Sequence, residues 1–216
     1  MPEPLPTPHA CIFDLDGTLV DSLRDIAESL NHCLDLLGLP AYPIESYRYM
    51  VGEGVPVLCQ RALGRSHPHL VNRLAELVRP FYRTRLLRHT RPYPGVSELI
   101  ARLRARGVRL GVLSNKPHDL AVRVVRTFWP DDSFSVIYGY LEEEHRKPSP
   151  IYVLRICAEL GVAPADTWVV GDTPTDIATA RAAGAVPIGV TWGFRTHADL
   201  VAAGAVHIVA RPDELP

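Results

Sequence analysis

The sequence predicts an α/β fold: a doubly wound parallel-sheet (Rossmann-like) core with a small all-helical domain inserted after the first strand. Three observations carry this. The runs ACIFDL (10–15), VRLGVLSN (108–115) and TWVVGD (167–172) stay largely apolar without alternating, and each carries a small or acidic polar residue at or next to its end. Strands of that kind are covered on both faces, as in a parallel sheet. From residue 92 to 210 such runs alternate with helical patterns, the rhythm of a doubly wound sheet. Between 21 and about 90 that rhythm breaks, and no convincing strand occurs.

Taken in order, the amino end MPEPLPTPHA is proline-rich and lacks a basic region followed by an apolar one, so it reads as a frayed tail and not as a secretory signal. The first strand follows at 10–15. Leu23, Ile26, Ala27, Leu30, Leu34 and Leu37 then mark a long amphipathic helix that stops at Gly38 and Pro40. Further helices fit 54–64 and 68–89, and RPYPG at 91–95 marks the return to the core. The expected division is therefore a core of 1–20 with 91–216, and a helical insertion of 21–90. Val96, Leu99, Ile100 and Leu103 keep helical spacing, as do Ala121, Val124, Val125 and Phe128. SVIYGY (135–140), PIGVTW (187–192) and HIVA (207–210) complete the strands. Helices at 150–161 and 175–184 each close on a glycine, Gly161 and Gly184.

Composition narrows the function. Twenty-three basic residues against 24 acidic ones give a net charge of −1, which argues against nucleic acid or an anionic membrane surface as partner. No apolar run approaches the roughly 18 residues of a spanning helix. Cys11, Cys33, Cys59 and Cys157 are scattered, without the paired spacing of a disulfide framework or a zinc site, and the expected setting is cytoplasmic with reduced thiols. Only Lys116 and Lys147 are lysines; the other basic residues are arginines.

Four strand ends carry polar groups, and in a doubly wound sheet ligands sit beyond the carboxyl ends of the strands. FDLDGTLVDS places Asp14 and Asp16 two apart, so an extended backbone points both the same way. Such carboxylates repel by about 4 kcal/mol at an effective dielectric of 20, which calls for a cation between them or a retained proton. A turn capping the next helix explains one of the two but not both. Ser114 and Asn115 are short donors suited to phosphate oxygens, or a helix cap for the segment at 118. Lys147, in RKPSP, is a loop charge or a compact point charge kept where a planar arginine would not fit. Asp172 in GDTPTD ends a strand with Asp176 four residues on, and taken alone it equally fits a helix N-cap with Thr173.

Together these motifs, DLDGTLVDS (14–22), LSNKP (113–117), RKPSP (146–150) and GDTPTDIATARAAG (171–184), resemble those of the haloacid dehalogenase-like superfamily, and more narrowly its phosphoglycolate phosphatase group with a helical cap. The resemblance implies that Asp14 is a nucleophile forming an aspartyl phosphate and that Asp16 is the general acid and then base. It implies that Ser114 and Lys147 hold the phosphoryl oxygens, with Asn115 beside them as a further phosphate-binding candidate from its strand-end position. It implies a magnesium site made by Asp14, the Asp16 carbonyl and Asp172, with Asp176 orienting the metal shell. Dehalogenating members carry a tyrosine where this chain has Asp16, so the implied chemistry is phosphoryl transfer.

The expected substrate is a small phosphorylated metabolite, 2-phosphoglycolate first, and the expected assembly a monomer or homodimer. VGEGV (51–55) offers Gly52 and Gly54 ahead of a helix, where main-chain N–H groups suit a substrate carboxylate or where glycines merely turn the chain. Eight arginines from Arg61 to Arg91 against Glu76 alone read as a solvated face that also steers anions. His67 and His69 read as surface residues. Other readings of the same motifs are a phosphatase for sugar phosphates, nucleotides or pyrophosphate, a phosphosugar mutase and a non-catalytic phosphometabolite sensor.

Overall fold

The computed structural model describes residues 7–216; most of the proline-rich tail expected at the amino end lies outside them. The chain divides into two compact units, Met1–Val20 with Pro92–Pro216, and Asp21–Arg91.

The first unit holds a six-stranded sheet. Its strands are β1 (Ala10–Phe13), β4 (Arg109–Pro117), β5 (Val136–Tyr140), β6 (Thr167–Gly171), β7 (Val186–Val190) and β8 (His207–Val209). The spatial order is β5-β4-β1-β6-β7-β8, and every pairing is parallel. Two-residue strands β2 (Val20–Asp21) and β3 (Arg91–Pro92) pair separately where the chain leaves and rejoins this unit. All four residues of β1 are buried, which is why the run ACIF needs no polar alternation. Ala10 sits between Arg109 and Thr167, and Phe13 between Val112 and Val170.

Helices α4 (Val96–Ala105), α5 (His118–Phe128), α6 (Ile151–Leu160), α7 (Pro174–Ala182) and α8 (His197–Ala202) join the strands. On one face α6 and α7 bury Tyr152, Val153, Ile156, Leu160 and Ala180 against Ile12, Leu113 and Val169. The chain passes β1, β4 and β5 outward on one side, then crosses back to lay β6, β7 and β8 on the other. Strand order therefore reverses between β1 and β6, and the crevice beyond their carboxyl ends is where such a sheet binds its ligand. Helix α8 was not anticipated. Its start signal is Thr196, whose N–H and hydroxyl both donate to the Asp199 carboxylate.

The second unit is helical: α1 (Leu23–Leu36), α2 (Val55–Leu63) and α3 (Val71–Arg85), with 3-10 turns at Ile44–Tyr49 and Pro68–Leu70. Leu30, Leu34, Tyr47, Cys59, Leu74 and Val78 form its interior. Asn31 stitches the loop after α1, its side-chain oxygen accepting from the Tyr42 N–H at 2.9 Å and the Tyr47 hydroxyl at 2.6 Å. The single helix expected over 68–89 is a 3-10 turn followed by α3, which ends at Arg85. The reason lies 64 residues away, in the buried Asp25: its carboxylate accepts the N–H groups of His89 and Thr90 at 2.9 Å each and the Thr90 hydroxyl at 2.7 Å. Those donors leave the helical ladder because a charged acceptor takes them. Asp25→Ala would strand them in the interior, and the expected loss is about 3 kcal/mol of stability in urea unfolding. A loss below about 1 kcal/mol would show that Asp25 does not anchor this end of the unit.

Candidate active site

The predicted residues meet at the carboxyl edge of the sheet. Asp14 directly follows β1 and Asp172 directly follows β6, on the two sides of the order reversal. The Asp14 N–H donates to the Val170 carbonyl at 2.9 Å, which locks one strand end to the other. Carboxylate oxygens of Asp14, Asp172 and Asp176 all lie within 4.8 Å of one another, and all three residues are buried. The structure thus brings Asp14 and Asp172 to one point.

Lys147 enters this cluster. Its Nζ donates to Asp14 Oδ1 at 2.7 Å, Asp176 Oδ1 at 2.6 Å and the Leu113 carbonyl at 3.2 Å. The Lys147-Pro148 peptide bond is cis. Asn115 holds the lysine's main chain from both sides: its Oδ1 accepts the Lys147 N–H at 2.9 Å and its Nδ2 donates to the Lys147 carbonyl at 3.2 Å. The Asn115 amide thus clamps the lysine, because a loop residue without strand neighbours needs such partners. Ser114 is buried, and its Oγ accepts the Lys116 N–H at 3.2 Å.

Asp172 is not the N-cap it resembled. Thr173 caps α7, its N–H and hydroxyl donating to Asp176 Oδ2 at 3.0 and 2.6 Å. That frees Asp172 to turn into the cluster, where it accepts the Thr18 hydroxyl at 3.1 Å and the Phe194 N–H at 2.8 Å. Gly17 has φ +95°, and a side chain there would overlap the Asp172 carboxylate; only glycine lets the DLDGT turn pass. Trp192 Nε1 donates to the Thr18 carbonyl at 3.0 Å, so Trp192 supports the turn that presents Thr18 to Asp172.

Asp14 and Asp16 pair with different lysines: Asp14 meets Lys147, and Asp16 meets Lys116 at 2.8 Å. The turn after Leu15 sends the two side chains to these partners, and each ammonium offsets part of the repulsion for which the sequence called for a cation or a retained proton. The third carboxylate of the cluster is Asp176. Gly52 and Gly54 belong to the helical unit, with positive φ (123° and 82°), and Gly54 stands at the N-cap of α2. Between them Glu53 pairs with Arg61.

Burial pushes the Asp14 carboxyl above the ordinary carboxylate range; Lys147 pulls it back, and Asp176 and Asp172 push it up again. Burial, then the Asp176 charge, raises Asp172 to about 7, against partial relief from Phe194 and Thr18. Burial alone would lower Lys147, but Asp14 and Asp176 outweigh it and hold the ammonium above its usual value. Three buried carboxylates against one ammonium leave two uncompensated negative charges among these groups. An all-oxygen donor set with that surplus fits one hard divalent cation.

A carboxyl raised on folding binds its proton more tightly in the folded state, so its stabilising effect is present at low pH and fades on deprotonation. Between the ordinary 3.8 and about 7 the metal-free protein therefore loses stability through Asp172, and Asp14 adds in the same direction. The expected drop from pH 5 to pH 8 is on the order of a few kcal/mol by thermal or urea unfolding, reversed by a divalent cation at pH 8. Asp172→Asn should flatten the slope. A metal-free protein more stable at pH 8 than at pH 5 would contradict this charge distribution.

Two contributors fall outside the predicted site residues. Thr18 lies inside a motif already singled out, next to the aspartates that drew attention. Lys116 stands out in the sequence by its rarity and its place in LSNKP, without a role assigned to it.

The family model for haloacid dehalogenase-like hydrolases matches residues 11–190. A phosphoglycolate phosphatase of Chromobacterium violaceum is 37% identical over 206 residues, covering 93% of each chain. The phosphoglycolate phosphatase of Haemophilus influenzae strain 86-028NP is 35% identical over 190 residues, 84% of this chain and 85% of that one. A crystal structure from Lactobacillus delbrueckii subsp. bulgaricus superposes with a TM-score of 0.90 at 31% identity, covering 97% of each chain. The motifs, the sheet order and these likenesses agree, and the chain belongs to the haloacid dehalogenase-like hydrolases.

Proposed function

We propose that the chain is a magnesium-dependent phosphatase of small phosphomonoesters, with 2-phosphoglycolate its substrate, working through a phosphoryl group carried on Asp14. One observation supports this above the others: a buried aspartate at the order-reversal crevice, held by an ammonium and flanked by two further carboxylates. The names of the relatives support the choice of ester.

An Asp14 oxygen attacks phosphorus as the ester P–O bond breaks, and Asp16, entering the step as the neutral acid, gives its proton to the leaving alcohol oxygen. Water then attacks the aspartyl phosphate, Asp16 takes the water's proton, and Asp14 returns as a carboxylate with release of inorganic phosphate. The obstacle is charge: a carboxylate about 4 Å from a phosphate repels it by about 4 kcal/mol per charge pair at an effective dielectric of 20. The Lys147 ammonium and the Ser114 hydroxyl are placed in this reading on the phosphoryl oxygens, where they stabilise the spread charge of the transition state. Asp14, Asp172 and the Asp16 carbonyl would hold magnesium, with Asp176 orienting the shell. The bound ion supplies the remaining positive charge between carboxylate and phosphate. Gly52 and Gly54, in the helical unit, are proposed as specificity residues, their main-chain N–H groups suited to a carboxylate. The four cysteines are free and buried, which suits a reducing compartment such as the cytoplasm. No helix among the described residues is long and apolar enough to cross a membrane.

The test is a panel of phosphoglycolate, sugar phosphates, nucleotides and pyrophosphate, each with magnesium and with excess chelator. Magnesium-dependent release of phosphate, highest kcat/KM on phosphoglycolate, is the expected result. Preference for another ester would overturn the substrate, and turnover unaffected by chelator would overturn the metal.

A further inference from the structure

The sequence spends its only two lysines on the two aspartates of DLDGT. Lys147 takes Asp14. Lys116 takes Asp16, with Nζ 2.8 Å from Oδ2 and side chains only 3% and 14% exposed. Nothing in the mechanism above uses Lys116. An ion pair this deep is costly to dehydrate and persists where geometry demands it.

The backbone around Lys116 is built for it. Between Leu113 and Pro117 the register of β4 against β5 shifts, and such a bulge re-aims side chains at a strand end. Gly139 on β5 lies so close to the Lys116 carbonyl that any side chain there would overlap it. The Lys116 N–H is fixed to Ser114 Oγ, so the residue that aims Asp16 is tied to a residue proposed to hold phosphate.

We propose that Lys116 is a positioning residue that holds the Asp16 carboxylate apart from the Asp14, Asp172 and Asp176 cluster, on the side where the leaving oxygen must arrive. This rests on the phosphatase reading. Without Lys116 the Asp16 carboxylate would add a fourth negative group to a crowded site, or turn from the leaving oxygen. Arginine would not replace it well, since a planar fork needs more room than a point charge. The rival role for a buried ammonium at this edge is direct capture of the substrate's own carboxylate.

The experiment compares wild type, Lys116→Met and Lys116→Arg on phosphoglycolate and on p-nitrophenyl phosphate, which has no carboxylate. The expected result for Lys116→Met is a loss in kcat of about 100-fold on both esters with KM within about threefold, and partial recovery in Lys116→Arg. In an Asp16→Asn background, Lys116→Met should cost little more in single-turnover rate, because a residue acting through Asp16 has nothing left to aim. A rise in KM confined to phosphoglycolate would overturn the proposal in favour of carboxylate capture. Full additivity with Asp16→Asn would overturn it as well. Should Lys116→Met not fold, Lys116→Arg with and without Asp16→Asn carries the same comparison. Wild-type turnover of the aromatic ester alone would remove phosphoglycolate as substrate and leave the Lys116 comparison standing on that ester.

Discussion

Asp14→Asn is expected to lower turnover of any phosphomonoester by about 10⁴-fold or more, since it removes the attacking oxygen and not an accessory to it. Its stability should move the other way. Asp14 sits in a group with surplus negative charge, and its carboxyl is already pushed up by burial and by Asp176 and Asp172. A neutral amide of nearly the same shape relieves that crowding, so metal-free Asp14→Asn should melt at or above the wild-type temperature at pH 8. Acid quenching during turnover with labelled substrate should trap phosphate on the wild type and none on the variant. Activity within tenfold of wild type would overturn Asp14 as nucleophile, whatever the melting temperature.

Removal of Lys147 should damage both fold and function. Its Nζ contacts Asp14 and Asp176 and nothing dilutes those contacts with water. Lys147→Met leaves three buried carboxylates facing one another, and breaking a buried pair from one side typically costs about 3–5 kcal/mol. The sign with pH follows: the loss should be largest at pH 8 in metal-free protein and shrink toward pH 5, where the raised carboxyls take up protons. Turnover in magnesium should fall by about 10³-fold, because on the proposed mechanism the ammonium also stabilises the charge on the phosphoryl oxygens. Lys147→Arg should recover little of either, as the Nζ contacts of 2.7 and 2.6 Å with two buried carboxylates suit a point charge. Denaturant unfolding at the two pH values, alongside steady-state rates, separates the two effects. A variant as stable as wild type at pH 8 would show that the cluster is not charge-limited.

Much of the core was legible because its chemistry is local. The run ACIF had to be a covered strand, and Asp14 and Asp172 had to fall at or near strand ends, since each lies at the close of an apolar run. Lys147 was legible through its rarity. What could not be read was direction. Asp16 was expected to point with Asp14 by strand alternation, yet β1 ends at Phe13 and the turn after Leu15 sends Asp16 to Lys116. The contact of Asn115 with the Lys147 main chain could not be read, because the two lie 32 residues apart. Asp172 and Thr173 competed as caps in the sequence, and the Thr173 contact with Asp176 decided between them.

By itself, the order of residues determined the layer architecture, the helical insertion and the set of polar groups at the strand ends, because hydrophobic period and turn chemistry act over a few residues. Tertiary structure alone decided which ammonium meets which carboxylate, that Asp176 rather than Asp16 completes the acidic cluster, and that Asp25 ends α3. Those choices depend on charges brought within about 3 Å across long stretches of chain, where burial, not sequence neighbourhood, sets the strength of each interaction.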